Sequence, residues 1–155
     1  MGLDKITTKF QEALQAAQQL ASRSAHAELK SLHVLIALLQ QEGGIVVPIL
    51  EKAGIEVTRL KAEAINALER EPSIQGAAAQ PQMSYGLRAS LDAADKVREA
   101  MGDDFLSVEH FLLGSLDADS TAAKMLNTQE IIPHCLSNLI GSIKTSTQAI
   151  AHLRL

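Results

Sequence analysis

The side chains in this sequence that could carry chemistry are five histidines, one cysteine and a few clustered carboxylates. The histidines are His26, His33, His110, His134 and His152, and none stands in H-E-x-x-H or a comparable ligand spacing. Cys135 is the single cysteine, which excludes an internal disulfide and a cysteine-rich zinc site. It adjoins His134, and neighbouring residues on a helix point in different directions, so a nucleophile–base dyad is not expected. No serine has the G-x-S-x-G context of a strained nucleophile turn. Asp92 and Asp95 lie among Lys96, Arg98 and Glu99, which reads as a solvated helix face with i,i+4 pairing. Gly43-Gly44 is followed by "IVVPIL", and no G-x-x-x-x-G-K-[ST] phosphate loop occurs anywhere. The expectation is a protein that is not an enzyme and that uses no cofactor and no metal. His33 and His110 stand out for another reason. They occupy matching phrases, "ELKSLHVLIALL" at 28–39 and "FLSVEHFLLGSL" at 105–116. Each is expected to make a local hydrogen bond near a helix start.

The elements that position these residues read as helices throughout. Phe10, Leu14, Ala17, Leu20 and Ala21 recur at helical spacing over 7–23, with Thr8 and Gln11 as a candidate capping box. A nearly all-apolar helix follows at 31–42, closed by Gly43-Gly44. Shorter helices fit 46–53, where Pro48 is tolerable in the first turn, and 56–71. The stretch "EPSIQGAAAQPQM" at 71–83 loses periodicity and reads as a linker. Leu87, Leu91, Ala94, Val97 and Met101 then mark a helix over 84–101, and Ser107 is placed to cap one over 108–116. Further helices fit 120–126 and about 133–147.

The matching phrases belong to a longer repeat. His110 follows His33 by 77 positions, and the same offset pairs Leu87 with Phe10, Leu91 with Leu14, Ala94 with Ala17, Val97 with Leu20 and Leu112 with Leu35. One offset across two helices and their loop predicts two four-helix units, repeat one at about 4–70 and repeat two at about 84–148, in a single domain spanning 1–148. Residues 149–155 would be a tail. The apolar second helix of each unit cannot be covered within its own unit. Packing about a pseudo-twofold axis would bury both, with Leu35, Ile36, Leu39, Leu112, Leu113 and Leu116 between the units. The expected fold is all-α, with about eight helices.

Composition narrows the function. Aromatic residues are 3% and tryptophan is absent, so the core must be aliphatic and its helices closely packed. A formal net charge of -4 argues against a nucleic-acid binder that neutralises phosphates. No apolar run approaches the ~20 residues that span a bilayer, and "MGLDKITTKF" lacks the apolar stretch of a signal peptide. A monomeric, cytoplasmic protein is expected, without nucleic-acid or membrane partners.

The segments "LDKITTKFQEALQAAQQLA", "LHVLIALLQQEGG", "ILEKAGI" and "GDDFLSVEHFLLGSL" resemble the amino-terminal domain of Clp-type AAA+ unfoldases, closest to the ClpB disaggregase branch. The resemblance covers roughly 3–126. It implies a mobile, non-catalytic module that weakly binds unfolded or aggregated polypeptide through a small groove. In such proteins a hexameric ATP-driven ring takes over the polypeptide, and ATP and magnesium belong to that ring. It further implies polar groove contacts at Thr7, Asp103 and Glu109 and a groove wall at Ala93, Val97 and His110. Thr7 and Glu109 also suit capping and helix-dipole roles. Relatives often carry larger aliphatics where Ala93 and His110 stand, which implies a shallower, more polar groove here. A different class of function is an adaptor- or degradation-tag-docking domain, as in protease-linked Clp branches, or a stand-alone relative. One such branch reads phosphorylated arginine through a glutamate before the histidine of each repeat. Here Glu109 precedes His110, but Leu32 precedes His33.

Overall fold

The computed structural model describes residues 5–74 and 80–117. The predicted helices at 120–126 and 133–147 and the tail lie outside these residues. The described chain forms six helices, α1 (Thr8–Arg23), α2 (Ser31–Gln40), α3 (Val46–Lys52), α4 (Val57–Glu69), α5 (Tyr85–Met101) and α6 (Val108–Asp117). Two short strands, β1 (Glu28–Leu29) and β2 (Gln82–Met83), accompany them.

Local chemistry sets the helix ends. Thr7, not Thr8, caps α1, its hydroxyl accepting from the Phe10 N–H at 3.3 Å. Ser84 does the same for α5 through the Leu87 N–H at 3.1 Å. Each cap satisfies one of the donors that a helix start leaves without a partner. Phe10, Ala13, Ala17 and Ala21 form the buried stripe of α1, and Leu87, Ser90, Leu91 and Ala94 that of α5. Every residue of α2 from Ser31 to Leu39 is buried, as expected of a central helix.

The repeats are bound together by their lead-in segments. β1 and β2 pair in parallel, with Leu29 opposite Met83, and an isolated parallel bridge joins Ile6 to Leu106. Moving Met83 and Leu106 back by 77 positions gives Ile6 and Leu29, so the two pairings are images of each other. The bonds match too. The Ser84 N–H donates to the Leu29 carbonyl at 2.9 Å and the Thr7 N–H to the Leu106 carbonyl at 2.9 Å. Each repeat thus extends its own lead-in across the other, which is the pseudo-twofold relation. Part of the expected linker is therefore strand. Its alternation was too short to register as a period, and the partner that stabilises it is distant in sequence.

The core crosses the same axis. The Phe10 and Phe111 rings lie 5.6 Å apart between α1 and α6, and the buried Ser31 hydroxyl donates to that of Ser90 at 3.2 Å between α2 and α5. Leu35, Leu39, Leu112 and Leu113 belong to this shared core. Ile36 does not. It packs with Leu32, Ala64 and Leu68, because its side of α2 faces α4 within its own repeat. The Leu116 side chain lies outside the described residues.

Candidate functional site

Two α–α joints, one in each repeat, contain the three histidines among the described residues. At the end of α5, Gly102 takes the left-handed conformation (φ +71°), and the Asp103 N–H returns to the Arg98 carbonyl at 3.1 Å. This is a glycine-closed helix end, in which a turn outside the helix satisfies its last carbonyls. Arg98 braces the turn. Its Nη1 donates to the Asp103 carbonyl at 2.9 Å and its Nε to Asp95 at 2.7 Å. The Asp95 hydrogen bond holds the Arg98 guanidinium above its ordinary pKa.

The chain then enters α6 over a histidine cap. The Ser107 N–H donates to His110 Nδ1 at 2.9 Å, and the Ser107 hydroxyl lies 3.1 Å from the same nitrogen. An accepting Nδ1 carries no proton, so the hydrogen of the neutral ring is on Nε2. Nε2 lies 2.7 Å from Asp103 Oδ2, which accepts from it.

Repeat one builds the same joint from different residues. Ala25 takes the left-handed position (φ +56°), and the His26 N–H returns to the Ala21 carbonyl at 3.0 Å. The Lys30 N–H donates to His33 Nδ1 at 2.9 Å, and His33 Nε2 lies 2.9 Å from His26 Nδ1. The repeat places Ala25 and His26 where Gly102 and Asp103 stand. Burial, with the neighbouring His26 as a smaller cause, lowers the His33 pKa from 6.5 to about 4.

The structure separates the candidate groove residues. Thr7 is half-buried and engaged at both ends, its N–H on Leu106 and its hydroxyl capping α1. Asp103 lies in the α5–α6 joint as an acceptor of His110. His110 itself is 0% exposed. Its ring is used by the α6 cap and Asp103, the cap being the local hydrogen bond near a helix start that the sequence predicts. Glu109 is 8% exposed and already engaged. Ala93 and Val97 lie one turn apart on α5, both half-buried, and Val97 packs partly on the core.

Two further residues in this region bear on the site. Phe105 is 54% exposed, immediately after Asp103 and the exposed Asp104. It is a large apolar side chain between the joint and the strand bridge at Leu106. Gly114 of α6 faces the α5 backbone so closely that a Cβ there would meet the Ala94 nitrogen at 2.5 Å. The signal for Gly114 was its mismatch with Ala37 one repeat earlier. The cue for Phe105 was Glu28 at the equivalent position. Among the described residues, no group of three or more His, Cys, Asp or Glu side chains is placed to hold a metal ion, and no helix is long and apolar enough to cross a membrane.

A doubled helical unit with crossed lead-ins and a capping histidine in each repeat defines a particular class of domain. Residues 5–129 match the family described as "Clp repeat (R) N-terminal domain", and the chain belongs to that family. It is 37% identical over 142 residues to the chaperone protein ClpB of Mycobacterium leprae, a match that covers 92% of this chain and 17% of that protein. The chain thus spans about a sixth of the length of the curated relative. Among solved structures, it resembles the N-domain of ClpV from Vibrio cholerae (TM-score 0.76, 23% identity, 90% of this chain and 85% of that one). It also resembles the ClpV N-domain solved in complex with a VipB peptide (TM-score 0.70, 22% identity, 86% and 88%). At these identities the structural likeness concerns the fold.

Proposed function

We propose that this domain, itself without catalytic activity, is the substrate-recognition module of a ClpB-like disaggregase, binding unfolded or aggregated polypeptide weakly and passing it to an ATP-driven hexameric ring. The observation that carries the reading is the match to chaperone protein ClpB over nearly the whole chain. The chemistry of the α5–α6 joint supports this reading. Phe105 presents apolar surface, and the carboxylates of Asp103 and Asp104 beside it favour segments that pair an apolar residue with a basic one. Thr7, Ala93 and Val97 border this region in our reading. Glu109 and His110 support it from beneath. Weak binding is expected, because covering so small a surface must offset the ordering of a flexible partner.

The test is binding of an unfolded, carboxymethylated model protein followed by amide chemical shifts. Phe105→Ala removes a side chain that the fold does not need, and it should weaken binding by roughly 5- to 30-fold, the equivalent of about 1–2 kcal/mol. Unchanged affinity, or shifts confined to α4, would reject this surface. A second reading, a docking domain for an adaptor or tag, is favoured by the VipB peptide bound to a ClpV domain of the same fold. It predicts tight binding of one short sequence in place of weak binding of many.

A further inference from the structure

The two joints differ in a way that the function proposed above does not use. In repeat two, the Nε2–H of the capping histidine is received by a carboxylate, Asp103. In repeat one, it is received by a second imidazole, His26. Both rings of the His26–His33 pair are buried, with centroids 5.2 Å apart.

Counting protons shows the consequence. His33 Nδ1 accepts the Lys30 N–H, so the His33 proton sits on Nε2 and points at His26 Nδ1. The pair has no lone pair left between these three groups. A proton added to His33 Nδ1 opposes the Lys30 N–H and breaks the α2 cap. One added to His26 Nδ1 opposes the His33 N–H, unless His33 shifts its own proton to Nδ1 and again loses the cap. Every singly protonated state therefore costs one of the two hydrogen bonds.

The charged groups around the pair leave burial as the larger influence on His33, Glu71 favouring an added proton and Lys30 opposing it less strongly. Glu28, Lys30 and Glu71 line the cavity of about 110 Å³ that both rings share with Ala27, Pro72 and Ile74. Glu71 is already paired with Lys30 at 2.7 Å, and that lysine repels an added positive charge. The segment over the cavity is tied to the joint itself. The Ile74 N–H donates to the Ala25 carbonyl at 2.8 Å, and the Ser73 hydroxyl to the Ser24 carbonyl at 3.2 Å. The bonded carbonyls flank a residue, Ala25, held at positive φ without being glycine, where strain is stored. β1 lies between His26 and Lys30, so the same joint holds one of the two inter-repeat pairings.

We propose that the α1–α2 joint is a proton-sensitive latch. Mild acid opens the α2 cap, the 71–74 strap and the β1–β2 pairing of repeat one; in repeat two an added proton also opposes the Ser107 N–H, but the Asp103 carboxylate pairs with the charged ring, so the α5–α6 joint stays closed. The closed joint holds His33 neutral down to about 4, whereas an opened joint takes up a proton near 6.5. The latch is therefore at full strength above about pH 6.5, weakens as the pH falls through that value, and has lost all of this contribution below about pH 4.

The test is site-resolved hydrogen exchange of the whole chain, expressed as protection factors to remove the intrinsic pH dependence. From about pH 7.5 to about pH 5.5, the amides of His33, Ile74 and Ser84 should lose roughly tenfold in protection, and those of Leu106 and Thr7, which hold the equivalent pairing beside repeat two, should not. His26→Asp installs the acceptor that repeat two uses, and it should abolish the selective loss. Parallel loss in both joints, or selective loss that persists in His26→Asp, overturns the latch. The wild-type imidazole titration decides the matter even if that variant does not fold. His33 should be the Nε2–H tautomer at neutral pH and titrate well below an ordinary histidine. An ordinary midpoint or the other tautomer overturns the proposal.

Discussion

Replacing Gly114 by alanine sets two principles against each other at one position. Alanine is the better helix former by about 1 kcal/mol, so intrinsic propensity predicts a more stable domain. Packing predicts the opposite. The added Cβ would stand 2.5 Å from the Ala94 nitrogen, 2.8 Å from its Cα and 3.0 Å from the Ala93 carbonyl carbon. Ordinary contacts of this kind begin near 3.4 Å, so the worst is about 0.9 Å too close. All three opposing atoms are backbone of α5, and no side-chain rotation relieves them. The helices must part, which also loosens the contacts of Leu91 and Leu112 around them. Overpacking typically costs about 1–3 kcal/mol, and with only backbone atoms opposing the Cβ this case takes the upper half, about 2–3 kcal/mol. The net expectation after the propensity gain is a loss of roughly 1–2 kcal/mol, or a fall in melting midpoint of about 2–8 °C. Gly86 provides the control. It lies in the first turn of α5, and a Cβ there meets nothing within 4 Å. Gly86→Ala should stabilise by about 0.4–1 kcal/mol. Thermal and urea unfolding of the two variants should therefore shift in opposite directions. If Gly114→Ala were as stable as the wild type or more so, close approach of α6 to α5 at Ala93–Ala94 would not be what Gly114 provides.

Ala25→Gly copies Gly102 into repeat one and relieves the positive φ, so urea unfolding should show a gain of about 0.5–1 kcal/mol. His110→Leu leaves the Ser107 N–H without its side-chain acceptor and removes one donor from Asp103, and it should destabilise by about 1–3 kcal/mol in the same assay; a neutral effect would mean that the cap contributes little. Leu35→Ala truncates a side chain that is 1% exposed in the shared core, and calorimetry should register a loss of about 2–5 kcal/mol.

Much of the architecture was legible in the chain itself. Helix periods depend on neighbours three and four residues away, so α1, α3, α5 and α6 fall close to the ranges that apolar spacing predicted. The offset of 77 carried the doubling of the unit, because a conserved loop length between two helices is not produced by periodicity within either. The burial of α2 followed from its lack of a polar face.

What each of these residues does was decided in three dimensions. Ile36 and Leu35 are neighbours of similar hydrophobicity, yet one faces α4 and the other the shared core, because their directions around α2 meet different helices. The sequence expects His110 to make a local hydrogen bond near a helix start, while the family resemblance implies a groove wall at the same residue. Only the approach of the Ser107 N–H and of Asp103 shows that both ring nitrogens are used inside the joint. The strands at 28–29 and 82–83 are two residues each, too short to declare themselves, and they exist through partners more than fifty positions away. The substitutions of His26 for Asp103 and Ala25 for Gly102 were present in the repeat alignment all along. Their meaning required the fold, because a hydrogen bond needs an angle and a distance that residue identity does not contain.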